Sequence, residues 1–260
     1  SCLMAEKAET DVFPIDIGIA CEVEHQGKLH PLTERKIRRG TSNFTKEAAM
    51  TRQEVLTAVL TGIDAVRVLK DREYRLFTVG EMGIGNTTTS SAVASVLLRK
   101  EPELVTGCGA GLDSAGLKRK TKAIRRGIDL HQPDPMDGME VLQKVGGFDL
   151  AAMAGAFLGG AIYHVPVVID GVIAAAAAAA AGRIAPAATD YMLAAHVSAE
   201  PASIWLLDLI GVTPAIRAGL RLGEGTGALA LFPLLDMALS IYRDMDTFAE
   251  MEIEEYKPLV

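Results

Sequence analysis

Three glycine-rich turns carry the residues whose types and spacing could do chemistry. The first, Gly80–Thr87 (GEMGIGNT), follows the strand-like segment Arg75–Val79 and matches a phosphate-binding P-loop, except that Asn86 stands where that loop has lysine. The missing lysine disfavours ATP hydrolysis. What remains is a loop of backbone N–H groups before a helix, which suits a single phosphate. The alternative is a turn that serves only tight packing, but three threonines at the helix start favour the phosphate.

The second turn, Gly107–Gly111, is followed by Lys118, Arg119 and Lys120. On a helix capped by Asp113, only some of these cations can face the turn. One ammonium group there would neutralise a phosphate. The alternative is that all three side chains are solvated, which this segment taken alone favours.

The third turn, Gly223–Ala228 (GEGTGA), fits the GxGxxG/A pattern of dinucleotide-binding proteins, yet Glu224 stands where a pyrophosphate would lie. A carboxylate at that place repels a dinucleotide. With glycine on either side it is better suited to act as a general base with open access. Glu81, in the first turn, is a second carboxylate at similar depth. Two carboxylates beside a phosphate cradle, without a metal-binding motif, indicate group transfer from a small mononucleotide.

These turns need parallel strands that bring their carboxyl ends to one crevice. Strand-like and helical segments alternate along the chain, which predicts an α/β fold: a mostly parallel, Rossmann-like sheet flanked by helices. A capping box at Thr51–Glu54 predicts a helix start, and the buried stripe of that helix is expected at Val55, Leu56, Val59, Leu60, Ile63 and Val66. The other predicted strands are Asp11–Ala20, Val165–Ile169, Leu193–Val197 and residues 216–222. One predicted helix starts at the threonines after the first turn and ends near Arg99, and the others span residues 102–107, 150–162, 172–182, 201–210 and 228–243.

Composition narrows the choice of partners. The 260 residues carry a net charge of −7, which disfavours nucleic acid and anionic membrane surfaces, because both reward an excess of Lys and Arg. The three cysteines form no disulfide framework and indicate a reducing cytoplasm. The five histidines are scattered, so no metal site is expected. One local basic cluster consists of Arg35, Lys36, Arg38 and Arg39. It is either a solvated face or a contact for a phosphate or a partner.

The most apolar stretch, residues 151–181, is broken by polar residues, proline and glycine, so it is predicted to be a helix, a strand and a helix rather than a membrane span. The N-terminus lacks the features of a signal peptide. It also lacks an initiator methionine, and we expect a further N-terminal portion in the native protein. The 260 residues are predicted to form one domain, with helical extremities at 30–70 and 229–260 as a small subdomain.

Six segments in order resemble one family: GEMGIGNTT (80–88), GLDSAGLKRK (111–120), KVGGFDLAAMAG (144–155), PVVIDGVI (166–173), AAHVSAEP (194–201) and LRLGEGTGA (220–228). They are similar to the nicotinate-nucleotide–dimethylbenzimidazole phosphoribosyltransferases, which act in lower-ligand assembly for cobamides of the vitamin B12 type. The resemblance covers essentially the whole chain. It implies a parallel-sheet domain with a smaller helical domain, small-molecule substrates, no cofactor, and a dimer, either of two copies or with a homologous subunit.

Carried over residue by residue, the resemblance implies that Glu224 is the catalytic base and Glu81 the second carboxylate. The implied substrate-binding residues are Gly83, Ile84, Gly85, Asn86 and Thr87 of the first turn, Gly109 of the second, the phosphate lysine Lys120, Ser198 near the nicotinate, and Leu222 and Gly223. The acceptor base stays open between benzimidazoles, purines and phenolic compounds. The alternative function is a non-catalytic subunit that binds nicotinate mononucleotide.

Overall fold

The computed structural model describes residues 1–23, 30–109 and 111–254. The described structure contains a parallel sheet of three short strands, in the order β3 (Phe77–Thr78), β4 (Val167–Ile169) and β5 (Met192–Ala194). Phe77 pairs with Val167, and Val167 pairs with Met192. Helices make the crossovers that parallel neighbours require. The predicted α/β fold with a mostly parallel sheet is confirmed.

Helices provide most of the regular structure in the described part of the chain. Their bounds are α1 (Cys2–Lys7), α2 (Arg52–Asp71), α3 (Asn86–Leu98), α4 (Pro102–Val105), α5 (Ser114–His131), α6 (Gly138–Val145), α7 (Phe148–Tyr163), α8 (Val172–Ile184), α9 (Ser203–Leu209) and α10 (Thr226–Asp244), with a 3-10 helix at Pro186–Tyr191. A second parallel pair joins β1 (Ile15–Asp16) to β2 (Thr33–Glu34).

The core is centred on α8, in which Ala174 to Ala181 are all buried. Alanine favours helix more than any other residue and needs little space. Helices α3, α6, α7 and α9 therefore pack closely around α8. This packing holds the helices and the carboxyl ends of the strands in fixed positions.

Helices α2 and α7 cross at glycines. A β-carbon added at Gly62 would lie 1.9 Å from the carbonyl oxygen of Ala152, and one added at Gly155 would lie 2.0 Å from that of Val59. Only glycine permits this backbone contact. The predicted capping box at the start of α2 is confirmed: Thr51 Oγ1 accepts from Glu54 N at 3.2 Å, and Thr51 N donates to Glu54 Oε2 at 2.7 Å.

The basic cluster near residue 38 is paired within the chain. Arg38 contacts Glu54 at 2.6 Å, Lys36 contacts Asp16 at 3.1 Å, and Arg39 contacts Glu22 at 2.7 Å. Arg35 lies 3.9 Å from Asp64. These ion pairs supply a structural reason for the cluster without a bound phosphate.

All five predicted strands were longer than the observed ones, and two differ most. Only Ile15–Asp16 of Asp11–Ala20 is strand, because Asp16 Oδ1 accepts from the N–H groups of Gly18 and Ile19 and turns the chain. Of residues 216–222, Ile216 alone forms a parallel bridge, with His196, and the chain then turns at Gly219, where φ is +64°.

The predicted buried stripe of α2 was wrong at Leu60, which is 60% exposed. The buried side of the helix is instead completed by small residues, Ala58 and Gly62, one turn apart. The division into a body and a small helical subdomain (30–70 and 229–260) stays a prediction. Residues 24–29, Ala110 of the second turn and residues 255–260 lie outside the described ranges. Across those ranges, we find no helix with both the length and the apolar character that a bilayer crossing demands.

Candidate active site

The first turn connects β3 to α3. Gly85, with φ of +85°, is the N-cap of α3, and Asn86 is the first residue of the helix. The buried Asn86 side chain donates from Nδ2 to a carboxylate oxygen of Glu81 and, at 3.0 Å, to Asp149 Oδ2. The turn therefore holds Glu81 beside a second acidic residue, from the start of α7.

The third turn has an unusual backbone. Gly223, Glu224 and Gly225 all have positive φ, at +81°, +58° and +77°. For glutamate this left-handed conformation costs about 1–2 kcal/mol, and strain of this kind is concentrated at functional sites. Asp170, buried after β4, stabilises the turn: its Oδ2 accepts from Gly225 N at 3.1 Å and its Oδ1 from Ala228 N at 2.9 Å.

The first and third turns touch. A β-carbon at Gly80 would lie 2.8 Å from the carbonyl carbon of Glu224 and 2.9 Å from Gly225 N. One at Gly223 would lie 3.3 Å from Glu81 Oε1. Glu81 and Glu224 consequently share one crevice. The side chain of Glu224 is 36% exposed and accepts a hydrogen bond from the Ser1 hydroxyl at 3.2 Å.

Burial and three neighbouring carboxylates shape the titration of Glu81. Burial is the main cause that raises the pKa of its carboxyl to about 7, and the negative charges of Asp149, Asp170 and Glu224 add to it. The hydrogen bond from Asn86 acts in the opposite direction. Near neutral pH, Glu81 is therefore divided between its protonated and ionised forms.

The second turn meets the start of α3 through Lys120. Lys120 is buried, and its Nζ donates to Thr87 Oγ1 at 3.0 Å and to the carbonyl oxygen of Gly107 at 3.1 Å. A β-carbon at Gly109 would lie 2.9 Å from Thr87 Oγ1 and 3.5 Å from Lys120 Nζ. Helix α5, with Asp113 as its N-cap as predicted, leaves Lys118 exposed.

No carboxylate of the described residues lies within 4.0 Å of Lys120 Nζ. Burial lowers the pKa of this lysine, and the charge of Glu200 partly offsets the effect. A buried ammonium group is normally paired. Its two hydrogen bonds leave one of its three N–H donors for a ligand, so this place suits an anion.

The other predicted substrate-binding residues lie at the edges of these turns. Ser198 is buried, with its backbone N–H bonded to Ser203 Oγ at 2.9 Å and its hydroxyl accepting from Glu200 N at 3.3 Å. Glu200 in turn lies against Gly107. Ile84 and Leu222 are fully or largely exposed, at 104% and 72%, although both are apolar. Exposed apolar side chains on tight turns fit contact with a ligand.

Three acidic or basic residues of the site received no role from sequence. Asp149 and Asp170 contact the first and third turns as described above. His196 is buried behind them, with Nε2 3.8 Å from Asp170 Oδ1. Burial lowers its pKa, but Asp170 and the Val197 backbone raise it overall. Asp170 could have been found, because an acidic residue directly after a buried strand lies where parallel sheets bind ligands.

Over residues 1–23, 30–109 and 111–254, no three His, Cys, Asp or Glu side chains are grouped as metal ligands. The carboxylates around Glu81 are instead bridged by the Asn86 amide.

The site thus has an acidic end and a basic end, and two neighbouring residues at the start of α3 each contact one of them. Asn86 faces the carboxylates, and Thr87 faces the Lys120 ammonium group. A ligand with an anionic group at one end and a cationic centre at the other matches this charge distribution. Fold and site together fit an α/β protein of the group-transfer class whose ligand carries an anionic and a cationic group.

Comparison with known proteins identifies the family. A family model described as a phosphoribosyltransferase matches residues 1–253, and the chain belongs to that family. It is 46% identical over 252 residues to the nicotinate-nucleotide–dimethylbenzimidazole phosphoribosyltransferase of Clostridium acetobutylicum, covering 97% of this chain and 70% of the relative. Its identity to the enzyme of the same name from Ruminiclostridium cellulolyticum is 44%, covering 99% of this chain and 72% of that one.

A solved structure gives the same result. The crystal structure of CobT from Thermus thermophilus superposes with a TM-score of 0.90 at 38% identity, covering 98% of this chain and 75% of that one. The resemblance read from the six sequence motifs is confirmed.

Proposed function

We propose that the chain transfers the 5-phosphoribosyl group from nicotinate mononucleotide to a lower-ligand base such as 5,6-dimethylbenzimidazole. The products are an α-ribotide and nicotinate, and the reaction belongs to cobamide synthesis. The names of the relatives support this donor and acceptor. The alternative, a subunit that only binds the nucleotide, is not favoured, because the chain retains both carboxylates at the crevice.

The observation that carries the proposal is the charge separation across the first turn of α3. Nicotinate mononucleotide has a phosphate at one end and a pyridinium cation on the anomeric carbon at the other. We assign the phosphate to Lys120, Thr87 and the turns containing Gly83, Gly85 and Gly109, and the cationic end to Glu81 and Glu224. The buried, unpaired ammonium group of Lys120 supports the first assignment.

The chemistry needs no general acid on the leaving side. The bond from C1′ to the pyridinium nitrogen breaks with its electron pair going to nitrogen, which leaves nicotinate with a neutral ring. A base nitrogen attacks from the opposite face and forms the new C1′–N bond. That nitrogen heterocycle becomes cationic, and Glu224 takes the proton from its other ring nitrogen.

Glu81 acts on the charge that develops at the sugar. The transition state has oxocarbenium character, which an ionised carboxylate stabilises. The free site holds the pKa of Glu81 at about 7. A bound pyridinium brings a positive charge that lowers this pKa, so substrate binding favours the ionised form that the reaction needs.

We assign the acceptor base to the apolar side chains that border the two carboxylates. Ile84 and Leu222, together with Met82, are exposed on the first and third turns. Flat aromatic bases bury apolar area well on such side chains. We assign Ser198, with Gly223, to the nicotinate side of the site. A screen of benzimidazoles, purines and phenols would identify the acceptor.

We further propose a cytoplasmic dimer, formed by two copies or with a homologous subunit. All three cysteines are exposed and unpaired, which supports a reducing compartment. Apolar side chains along the exposed end of α10 and beyond it support a partner chain, among them Met237, Ile241, Tyr242, Met245 and Phe248.

The test of the function replaces Glu224 by Gln in the same chain. Free nicotinate is measured after mixing the protein with nicotinate mononucleotide and dimethylbenzimidazole. The wild type should release nicotinate only with the base present, and Glu224→Gln should reduce kcat about 10²- to 10⁴-fold, with nucleotide affinity kept.

A matched control is Glu73→Gln. Glu73 also has a positive φ, +69°, but is exposed in the loop after α2. It should retain wild-type turnover. Turnover by Glu224→Gln equal to that of the wild type would refute the general-base role, and absence of nicotinate release from the wild type would refute the function.

A further inference from the structure

Asp149, at the start of α7, is held from several sides. Its Oδ1 accepts from Leu150 N at 2.9 Å, and its Oδ2 accepts from Asn86 Nδ2 at 3.0 Å. β-Carbons added at Gly83 and Gly147 would lie 3.0 Å and 2.6 Å from its carboxylate oxygens. Because Gly83 and Gly147 have no side chains, they leave the space that this carboxylate fills. An acidic residue in the first turn of a helix interacts favourably with the helix dipole without such a fitted space.

The Asn86 amide joins Asp149 to Glu81. An amide nitrogen has two N–H donors, and Nδ2 directs them to these two carboxylates. If the Asn86 amide were rotated by 180°, its oxygen, which is a hydrogen-bond acceptor, would face the two carboxylates and would be repelled by them. With Asp149 in place, only one orientation of Asn86 is therefore favourable, and in that orientation the amide donates to Glu81.

We propose that Asp149 is a positioning residue of this site: it fixes the Asn86 amide and, through that amide, holds the Glu81 carboxyl at the crevice. The inference rests on the proposed function for its catalytic meaning, whereas the effect of Asp149 on Glu81 can be measured without turnover. Asp149 acts through Asn86, and the reaction assigns it no step of its own.

The charge of Asp149 gives a second, independent effect on Glu81. The charged groups that raise the pKa of Glu81 come from three elements: Asp149 on α7, Asp170 after β4 and Glu224 on the third turn. Asn86 on α3 is the hydrogen-bond donor that opposes them. Removal of the Asp149 charge should lower the pKa of Glu81, because one repulsive charge on its ionised form is lost.

The experiment titrates Glu81 directly in the full chain. Infrared difference spectra between pH 4 and 9 follow the protonated carboxyl band that is absent from Glu81→Gln. In Asp149→Asn, which keeps one oxygen acceptor but no charge, the midpoint should fall by about one pH unit. In turnover, Asp149→Ala, which removes the acceptor that fixes the Asn86 amide, should lower kcat about 10-fold or more, while KM for nicotinate mononucleotide stays within about twofold, because the phosphate end is untouched.

Asp137→Asn is the control for a merely structural role. Asp137 is the N-cap of α6 and its Oδ1 accepts from Glu140 N at 2.9 Å, yet it has no contact with Glu81. Its titration and turnover should equal those of the wild type. Asp149→Glu, which keeps the charge, should leave the Glu81 midpoint near that of the wild type and serves where Asp149→Asn does not fold.

The outcomes separate the two proposals. A shifted Glu81 midpoint in a protein without transferase activity supports the placement of Asp149 and refutes the function. An active wild type whose Glu81 midpoint is unchanged in folded Asp149→Asn overturns the inference about Asp149 alone. If only Asp149→Glu folds, a midpoint displaced by a full pH unit also overturns it.

Discussion

At the scale of single residues, the burial of Lys120 supports its proposed role in binding the phosphate. Its ammonium group lies out of water with two hydrogen bonds and, among the described residues, no carboxylate in ion-pair range. Desolvation of such a cation is costly unless an anion completes its shell. Thr87, the other residue at this place, belongs to a helix N-terminus, which also favours an anion.

Lys120→Ala should weaken nucleotide binding rather than the chemical step. The loss of a charge-assisted hydrogen bond predicts a rise in Kd for nicotinate mononucleotide of about 10- to 100-fold. Calorimetric titration measures this Kd, and kcat at saturation should change less. Lys118→Ala, two residues earlier and exposed, should bind as the wild type does. A Lys120→Ala protein with native affinity and lost kcat would contradict the phosphate assignment.

At the scale of elements, the relation between Glu81 and Glu224 depends on two turns in backbone contact. Gly80, at the end of β3, has no side chain, so the carbonyl group of Glu224 can approach it directly. Asp170, at the end of β4, fixes the other side of the third turn and the start of α10. Adjacent strand ends thus set the distance between the two carboxylates.

Gly80→Ala should separate these turns. The new β-carbon would lie 2.8–2.9 Å from backbone atoms of Glu224 and Gly225, which cannot move as a flexible side chain could. A displacement of about 1 Å at a reacting centre costs about 10²-fold in rate, so kcat should fall strongly with a smaller change in nucleotide affinity.

Gly182→Ala is the control for Gly80→Ala. At Gly182, within α8, an added β-carbon meets only side-chain methyl groups, at 3.2 Å and 3.3 Å. That variant should fold and turn over normally. Equal kcat for Gly80→Ala and the wild type would show that the spacing of the turns does not matter.

At the scale of the whole molecule, the end of α10 is the least covered part of the described chain. From Leu234 onward its residues are largely exposed, and many are apolar. An exposed apolar helix of this kind marks an interaction surface. The turn that carries Glu224 leads into the buried first turns of the same helix, and the exposed surface lies at the opposite end of α10.

The double variant Ile241→Glu and Met245→Glu should weaken the dimer. The two positions lie one helical turn apart and are 60% and 68% exposed, so two added charges would face the partner and repel its apolar surface. Sedimentation velocity should show the wild type at twice the chain mass and the double variant at the chain mass. Leu130→Glu, at an exposed position of α5, should stay dimeric. A wild type that sediments alone as a monomer at micromolar concentration would refute the dimer of two copies and leave the homologous subunit as the proposed partner.

The amino-acid sequence alone determined those features whose physical cause is local. The capping box at Thr51, the Asp113 cap and the glycine turns before α3 and α10 depend on neighbours within four residues, and the structure has all of them. The alternation of elements likewise predicted the parallel sheet. The choice of Lys120 over Lys118 came from the family resemblance, and the buried position of Lys120 agrees with it.

Only the tertiary structure decided what depends on distant partners. Asp149 and Asn86 are 63 residues apart, so no local spacing indicates their contact. The position of Asp170 after a buried strand marks it as a candidate, but its contact with the third turn spans 55 residues and could not be predicted locally. The strands predicted at 11–20 and 216–222 were too long for the same reason: an extended segment is a strand only where a neighbour supplies hydrogen bonds. Local rules act through bonds and nearest neighbours, whereas burial, charge coupling and strand pairing exist only once the chain has brought remote segments together.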